Sequence, residues 1–280
     1  MKALVTGASG QLGRALAARL GPSAHALARA QLDVTDAAAV SAALDSIRPD
    51  VVINATAYNK VDGAESEPEA AFAVNATAVL NLALAAQRVG ARLVHVSTDY
   101  VFDGAQSRPY VEDDVPRPIN TYGRSKRAGE MMVEAVRGPA LLLRTSGVFG
   151  PGGSRAKGGS FVDRILERAR TGATLRVVDD QRFAPTFAPD LAAALVTLVE
   201  RKATGTVHVT NAGACSWYEL ARAALELADV PATVDRISSA ELAAPARRPL
   251  YSVLSNARFA DLTGAPLRPW REALAEMLGR

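Results

Sequence analysis

The sequence is short of the side chains that hold metals and stack on bases. It has one cysteine, Cys215, and three histidines, His25, His95 and His208, among 280 residues. A single cysteine excludes an intrachain disulfide and a thiolate metal centre. The histidines lie far apart, and no cluster of histidines or carboxylates has metal-ligand spacing, so no catalytic metal is expected. His95 and His208 sit in apolar runs and read as core or strand residues. Aromatics make up 5% of the chain and the net charge is +3. The arginines are scattered, so this mild basicity does not form the aromatic-interleaved stripe of a nucleic-acid surface; it suits an anionic small molecule. No apolar run reads as long enough to span a bilayer, and the amino terminus opens on a strand pattern rather than a signal peptide. The reading is of a cytoplasmic protein, a monomer or homodimer, with no membrane partner.

What the chain does have is a 49% hydrophobic composition arranged in a regular alternation. Strands are expected at Lys2–Thr6, Val51–Asn54, Arg92–Ser97, Ala140–Thr145 and Gly205–Asn211. Helices are expected over 11–20, 67–89, 120–136, 160–170 and 189–202, with two or three more after Ser216. This βαβα rhythm predicts an α/β fold, a doubly wound parallel sheet with its ligand crevice at the carboxyl ends of the strands. Residues 1–150 read as a dinucleotide-binding (Rossmann) domain. Residues 151–280 read mainly as a smaller mixed α/β substrate lobe, with about 185–210 returning to the first domain.

Three segments carry chemistry. Gly7-Ala8-Ser9-Gly10-Gln11-Leu12-Gly13 joins the first strand to the first helix. Its glycines permit a tight turn and close backbone approach to a pyrophosphate, and the helix amino terminus offers N–H donors. The spacing is three-three, not the two-three of the common fingerprint. Near the end of the second strand, Arg29 would accept a 2′-phosphate, while Asp33 would hold ribose hydroxyls; Arg29 tilts the expectation to NADPH, with NADH possible. The alternative is that Arg29 is a solvated surface residue and Asp36 merely caps the next helix. The second segment is Tyr122-Gly-Arg-Ser-Lys126. A tyrosine and a lysine four apart share a helix face, and a nearby cation lowers the cost of ionising a phenol. The third is Ser97-Thr98-Asp99, where a strand-end hydroxyl can hold a substrate oxygen, although such residues are also ordinary turn formers.

Together with Asn54-Ala55-Thr56-Ala57 and Asn75, these segments resemble the extended short-chain dehydrogenase/reductase superfamily. Further stretches resemble the dTDP-4-dehydrorhamnose reductase family within it: Asp33-Val34-Thr35-Asp36, Val61-Asp62 with Ala64-Glu65, Ser97 to Gly104, Arg144-Thr145-Ser146, Asp180-Gln181 with Pro185-Thr186, and Arg248-Pro249 with Ser252. The resemblance runs nearly end to end. It implies reduction of the 4-keto group of a dTDP-deoxysugar, dTDP-4-dehydro-L-rhamnose, by NADPH. Tyr122 would be the acid, Lys126 would assist it and bind the nicotinamide ribose, and Thr98 would hold the carbonyl oxygen. Asn75 would organise the site. Asp33 and Val34 would flank the adenine, and Ala55, Thr56, Ala57 and Tyr58 would line the cofactor path. Asp99, Tyr100, Phe183 and Arg248 are the candidate substrate contacts, Arg248 as a partner for the diphosphate and Lys157 as a weaker one.

Two positions depart from the family pattern. The family commonly has Trp after Arg-Thr-Ser, where this chain has Gly147. It usually has Gly between Gln and Pro-Thr, where this chain has Arg182-Phe183-Ala184. Phe183 is therefore a candidate replacement for the missing stacking surface. The alternative reading is a 4-ketoreductase for another nucleotide-linked 4-keto-6-deoxysugar. A non-catalytic nucleotide-binding regulatory subunit is a third, and the complete Thr98–Tyr122–Lys126 set argues against it.

Overall fold

The protein is described by a computed structural model that covers residues 1–153 and 158–280; the candidate Lys157 falls outside the described residues. In chain order the first half runs β1 (Ala3–Thr6), α1 (Gln11–Leu20), β2 (Ala24–Leu27), α2 (Ala37–Ile47), β3 (Val51–Asn54), α3 (Gly63–Ser66), α4 (Pro68–Phe72), a π turn (Ala73–Thr77), α5 (Ala78–Val89), β4 (Arg92–Thr98), α6 (Thr121–Val136) and β5 (Ala140–Thr145). The second half continues with β6 (Val148–Phe149), α7 (Phe161–Arg170), β7 (Leu175–Val178), β8 (Arg182–Phe183), β9 (Thr186–Phe187), α8 (Ala188–Glu200), β10 (Gly205–His208), β11 (Cys215–Ser216), α9 (Trp217–Leu227), β12 (Val234–Ile237), α10 (Ser239–Leu242), α11 (Ala257–Thr263) and α12 (Trp270–Met277).

Six strands form one sheet in the order β10-β5-β4-β3-β1-β2, parallel throughout. Every residue of β1 and β3 is buried, as a parallel sheet covered on both faces demands. One face packs on α1 and α8 through Leu12, Leu16, Leu191 and Leu195. The other packs on α2, α5 and α6 through Val40, Leu44, Leu82 and Val133. Strand order reverses at β1, which lies between β2 and β3, and the ligand crevice of such a sheet opens at that switch point. A second apolar cluster joins α7, α9 and α12 with β7 and Phe183.

Local chemistry accounts for the element ends. Asp36 caps α2, its carboxylate accepting the amides of Ala38 and Ala39. Ser160 and Ser216 begin α7 and α9 with reciprocal capping boxes to Asp163 and Glu219. Gly90 ends α5 in the left-handed conformation. The helical run expected over 67–89 is present, interrupted by the π turn that holds Asn75.

Two expectations need correction. Among the described residues, Pro68–Val89 is long and apolar enough to cross a bilayer by length and composition; its apolarity instead serves the sheet, because Ala78, Val79, Leu82, Ala85 and Ala86 are buried. After Ser216 there are four helices rather than two or three, with β12 among them.

Helix α6 is tied to the sheet by charge as well as by packing. Arg144, on β5, donates through Nε and Nη2 to the two carboxylate oxygens of Glu130, each at 2.8 Å. Both side chains are nearly inaccessible. Against the effect of burial, Arg144 holds the Glu130 carboxyl below its ordinary range. Removing one partner of such a pair strands the other's charge at a cost of about 3–5 kcal/mol. Glu130→Ala should therefore lower the unfolding free energy by that amount in urea titration, whereas a change below about 1 kcal/mol would show the pair to be dispensable.

Candidate active site

The crevice begins at the glycine loop. Gly7 has φ +73°, and a Cβ there would lie 2.8 Å from the backbone of Ala55 and Thr56. A Cβ at Gly13 would lie 2.1 Å from the carbonyl oxygen of Gly7. Only glycine fits either position. Gly10 caps α1 without a side-chain hydrogen bond, so the first amides of a ten-residue helix point into the crevice with no side-chain acceptor at the cap. The Gln11 amide oxygen is buried without a partner. This uncapped cradle, shaped by missing Cβ atoms, suits a dinucleotide diphosphate. Arg14, not singled out in the sequence, braces the loop: it donates to the carbonyls of Ser9 and Gly153 at 2.6 and 2.8 Å.

Beside the loop, Thr6, Asn54 and Thr56 interlock. The Asn54 side-chain oxygen accepts from the Thr6 hydroxyl and the Thr56 amide. Asn75 is fully buried; it accepts the Tyr58 amide at 2.9 Å and donates to the Tyr58 carbonyl and to Ser125 Oγ. It thereby pins the 55–58 strand exit to α6. Arg29 lies two residues beyond β2, with an exposed side chain 3.5 Å from the Asp33 carboxylate. Asp33 accepts from Thr35, which together with Arg29 holds its carboxyl below the ordinary value against the effect of burial. Val34 is 5% exposed and packs in the sheet's core.

Tyr122 and Lys126 occupy one face of α6. Asn120 caps that helix and donates to the Arg247 carbonyl at 2.7 Å. Lys126 is 1% exposed; its Nζ donates to the Val96 carbonyl at 2.7 Å and lies 3.3 Å from His95 Nε2. Burial draws the ammonium down to about 8, with Glu130 opposing. Burial pushes the Tyr122 phenol up to about 12; the facing Thr98 hydroxyl works against this and Asp99 with it. Tyr100 meets Tyr122 edge to face, ring centres 5.9 Å apart.

Thr98 ends β4, and its neighbour Asp99 collects three hydroxyls. Thr98 donates to one carboxylate oxygen at 3.0 Å, and Ser146 and Ser252 donate to the other at 2.7 and 2.5 Å. Asp99 is 3% exposed and so reads as an anchor for Thr98 rather than an open sugar contact. Arg248 stands beside Tyr100 and is held by the Asp62 carboxylate at 2.8 Å. Among the described residues no group of three or more potential metal ligands occurs.

Phe183 is not an exposed stacking platform. Its ring is 3% exposed and stacks on Trp217 at 4.0 Å, because β8 pairs antiparallel with β11 and places Phe183 in the second cluster. The same ring explains Gly147: a Cβ there, at φ +51°, would lie 2.3 Å from Phe183. The two departures from the family pattern are thus one packing arrangement.

Burial raises the Asp99 carboxyl to about 6 against the pull of its three hydroxyl donors. A folded-state value above the unfolded one favours the protonated fold: that contribution is complete below about pH 4 and is lost as pH rises through 6. The unfolding free energy of the wild type relative to Asp99→Asn should fall by about 2–3 kcal/mol between pH 4 and pH 7. A pH-independent difference would contradict this account of Asp99.

Known proteins resemble this chain over nearly its whole length. The model of the family described as RmlD substrate binding domain matches residues 1–280. A dTDP-4-dehydrorhamnose reductase of Mycobacterium tuberculosis is 45% identical over 284 residues, covering 98% of this chain and 91% of its own. A probable dTDP-4,6-dihydroxy-2-methyloxan-3-one 4-ketoreductase of Streptomyces antibioticus is 42% identical, with 99% and 94% covered. The crystal structure of dTDP-4-dehydrorhamnose reductase from Bacillus anthracis in complex with NADP superposes with a TM-score of 0.93 at 37% identity, covering 99% of each chain. A family model that matches from end to end, with relatives 42% and 45% identical over nearly the whole chain, assigns it to the RmlD substrate-binding-domain family of dTDP-4-dehydrorhamnose reductases.

Proposed function

We propose that this chain reduces the 4-keto group of dTDP-4-dehydro-L-rhamnose with NADPH, giving dTDP-L-rhamnose. The observation that carries the reading is the conjunction, at one end of one sheet, of a diphosphate-shaped cradle with the Thr98–Tyr122–Lys126 set. Gly7, Ser9, Gly10, Gln11, Leu12 and Gly13 would hold the diphosphate. Arg29 would meet the 2′-phosphate, and Ala55 to Tyr58 would line the path to the nicotinamide. Bound there, NADPH supplies the hydride.

The chain's own residues then handle the proton. A phenol raised to about 12 remains protonated at neutral pH and can serve as a donor once alkoxide charge develops. Lys126, still mostly cationic at pH 7 with a value near 8, stabilises the phenolate that remains. Thr98 donates to Asp99 and accepts the Tyr100 amide. Its oxygen is thereby fixed beside Tyr122, and turning its one proton from Asp99 to the substrate would orient the carbonyl. The second apolar cluster, built on α7, α9 and α12, would be the lobe that selects the sugar, with Tyr100 and Arg248 at the rim.

A second reading, a 4-ketoreductase for a different deoxysugar, is favoured by Gly147 and the buried Phe183, which replace the expected aromatic platform. The decisive assay mixes the protein with NADPH and dTDP-4-dehydro-6-deoxyhexose, with and without a 3,5-epimerase, and follows nicotinamide absorbance. Oxidation dependent on the epimerase supports the first reading; oxidation without it supports the second; none in either case defeats both. Tyr122→Phe should lower kcat by about 100- to 10,000-fold and leave NADPH affinity nearly intact, which fluorescence titration would report.

A further inference from the structure

We infer that His95 is a positioning residue of the catalytic centre, directing a fixed ring N–H at Lys126 so that its neutral amine, and not only its ammonium, is held in place. His95 lies within β4 and is fully buried. Both ring nitrogens have a side-chain neighbour: Asn54 Nδ2 at 3.1 Å from Nδ1, and Lys126 Nζ at 3.3 Å from Nε2.

The tautomer follows from a chain of obligations. The Thr56 amide can only donate, and it donates to Asn54 Oδ1 at 3.0 Å. The Asn54 side chain is therefore unable to turn over, and its NH2 group faces His95 Nδ1. That nitrogen must present a lone pair, so the proton of the neutral ring sits on Nε2. An imidazolium would set N–H against N–H at Asn54, and burial together with Lys126 keeps the ring neutral. The Nε2 proton thus faces Lys126 Nζ. An ammonium meets it donor to donor, whereas an amine receives it on its lone pair while still donating to Val96 O.

Among the described residues, the other groups around Lys126 do not offer it the same choice. On α6, Glu130 is the anion one turn on, and its carboxylate is taken by Arg144 and Arg127. Tyr122 is one turn back, Asp99 follows β4 with its oxygens held by hydroxyls, and Asn75 on the π turn carries no charge.

The consequence rests on the Tyr122–Lys126 assignment made above. When the Tyr122 O–H bond breaks and its proton moves to the sugar oxygen, a phenolate remains. One Nζ–H bond of Lys126 then breaks and the phenol O–H re-forms, cancelling the two charges. The amine left behind accepts the His95 N–H and later regains a proton from solvent acid. His95 would thereby make Lys126 a better proton source to Tyr122.

The test is direct titration of Lys126 by the carbon-13 shift of its ε-methylene in the full-length, cofactor-free protein, with long-range nitrogen–proton correlation to read the His95 tautomer. Wild type should show Nε2 protonated throughout. Asn54→Asp places a carboxylate against Nδ1, should move the ring proton there, and should raise the Lys126 titration by about one pH unit. His95→Gln, which removes the fixed donor, should raise it similarly. In both variants the alkaline limb of kcat for reduction should move up in step. An Nδ1-protonated ring in the wild type, or an unmoved Lys126 titration in both variants, overturns the inference. A moved titration with an unmoved rate profile overturns instead the part assigned to Lys126 in turnover.

Discussion

At two glycines, helix α6 lies against neighbouring backbone without intervening side chains, and the site depends on that approach. A Cβ at Gly129 would lie 2.1 Å from the Asn75 carbonyl oxygen, and one at Gly123 would lie 2.2 Å from that of Tyr100. These two glycines let the helix sink until Lys126 reaches a carbonyl of β4 and Glu130 reaches Arg144. A helix standing further out would leave Lys126 in solvent, where its ammonium is ordinary, and Tyr122 without the burial that keeps it a phenol. Glycine lowers helix propensity by about 1 kcal/mol relative to alanine; here that local penalty is the condition for the chemistry.

Burial acts on the pair in opposite directions. It disfavours the charged form of each group, pushing the tyrosine up and the lysine down. At neutral pH the site therefore rests as phenol and, mostly, ammonium, with both protons in place. The two affinities, nearly equal in water, are thereby drawn apart, which favours passage of a proton from the ammonium to the phenolate once it forms. Thr98 contributes geometry rather than charge: its hydroxyl is committed to Asp99, and Asp99 to two further serines.

Much of this arrangement was legible in the sequence, for physical reasons. Gln11–Leu20 and Val51–Asn54 appear where expected because an amphipathic period and an all-apolar run leave few alternatives. The glycine loop was visible because its residues are adjacent in the chain. The strands β7, β8, β9, β11 and β12, each of two to four residues, were not; so short a segment has no readable period. Phe183 looked like an exposed aromatic because its partners, Trp217 and Gly147, are distant in sequence. His95 read as core, which it is. Its contacts come from residues 41 positions before it and 31 after it, and no local pattern announces them.

The Asp99 cluster has a consequence for how the protein comes into being. Its third hydroxyl, Ser252, joins residues 153 apart in the chain, and the same late segment lies along Gly104 and pairs with Tyr110. A chain still being synthesised can form the glycine loop and α6 long before Ser252 emerges. Until then Asp99 lacks one of the donors that make its burial tolerable, and Thr98 lacks a settled anchor. The surroundings of the β4 end are therefore completed only when the last thirty or so residues of the chain begin to emerge, with Ser252.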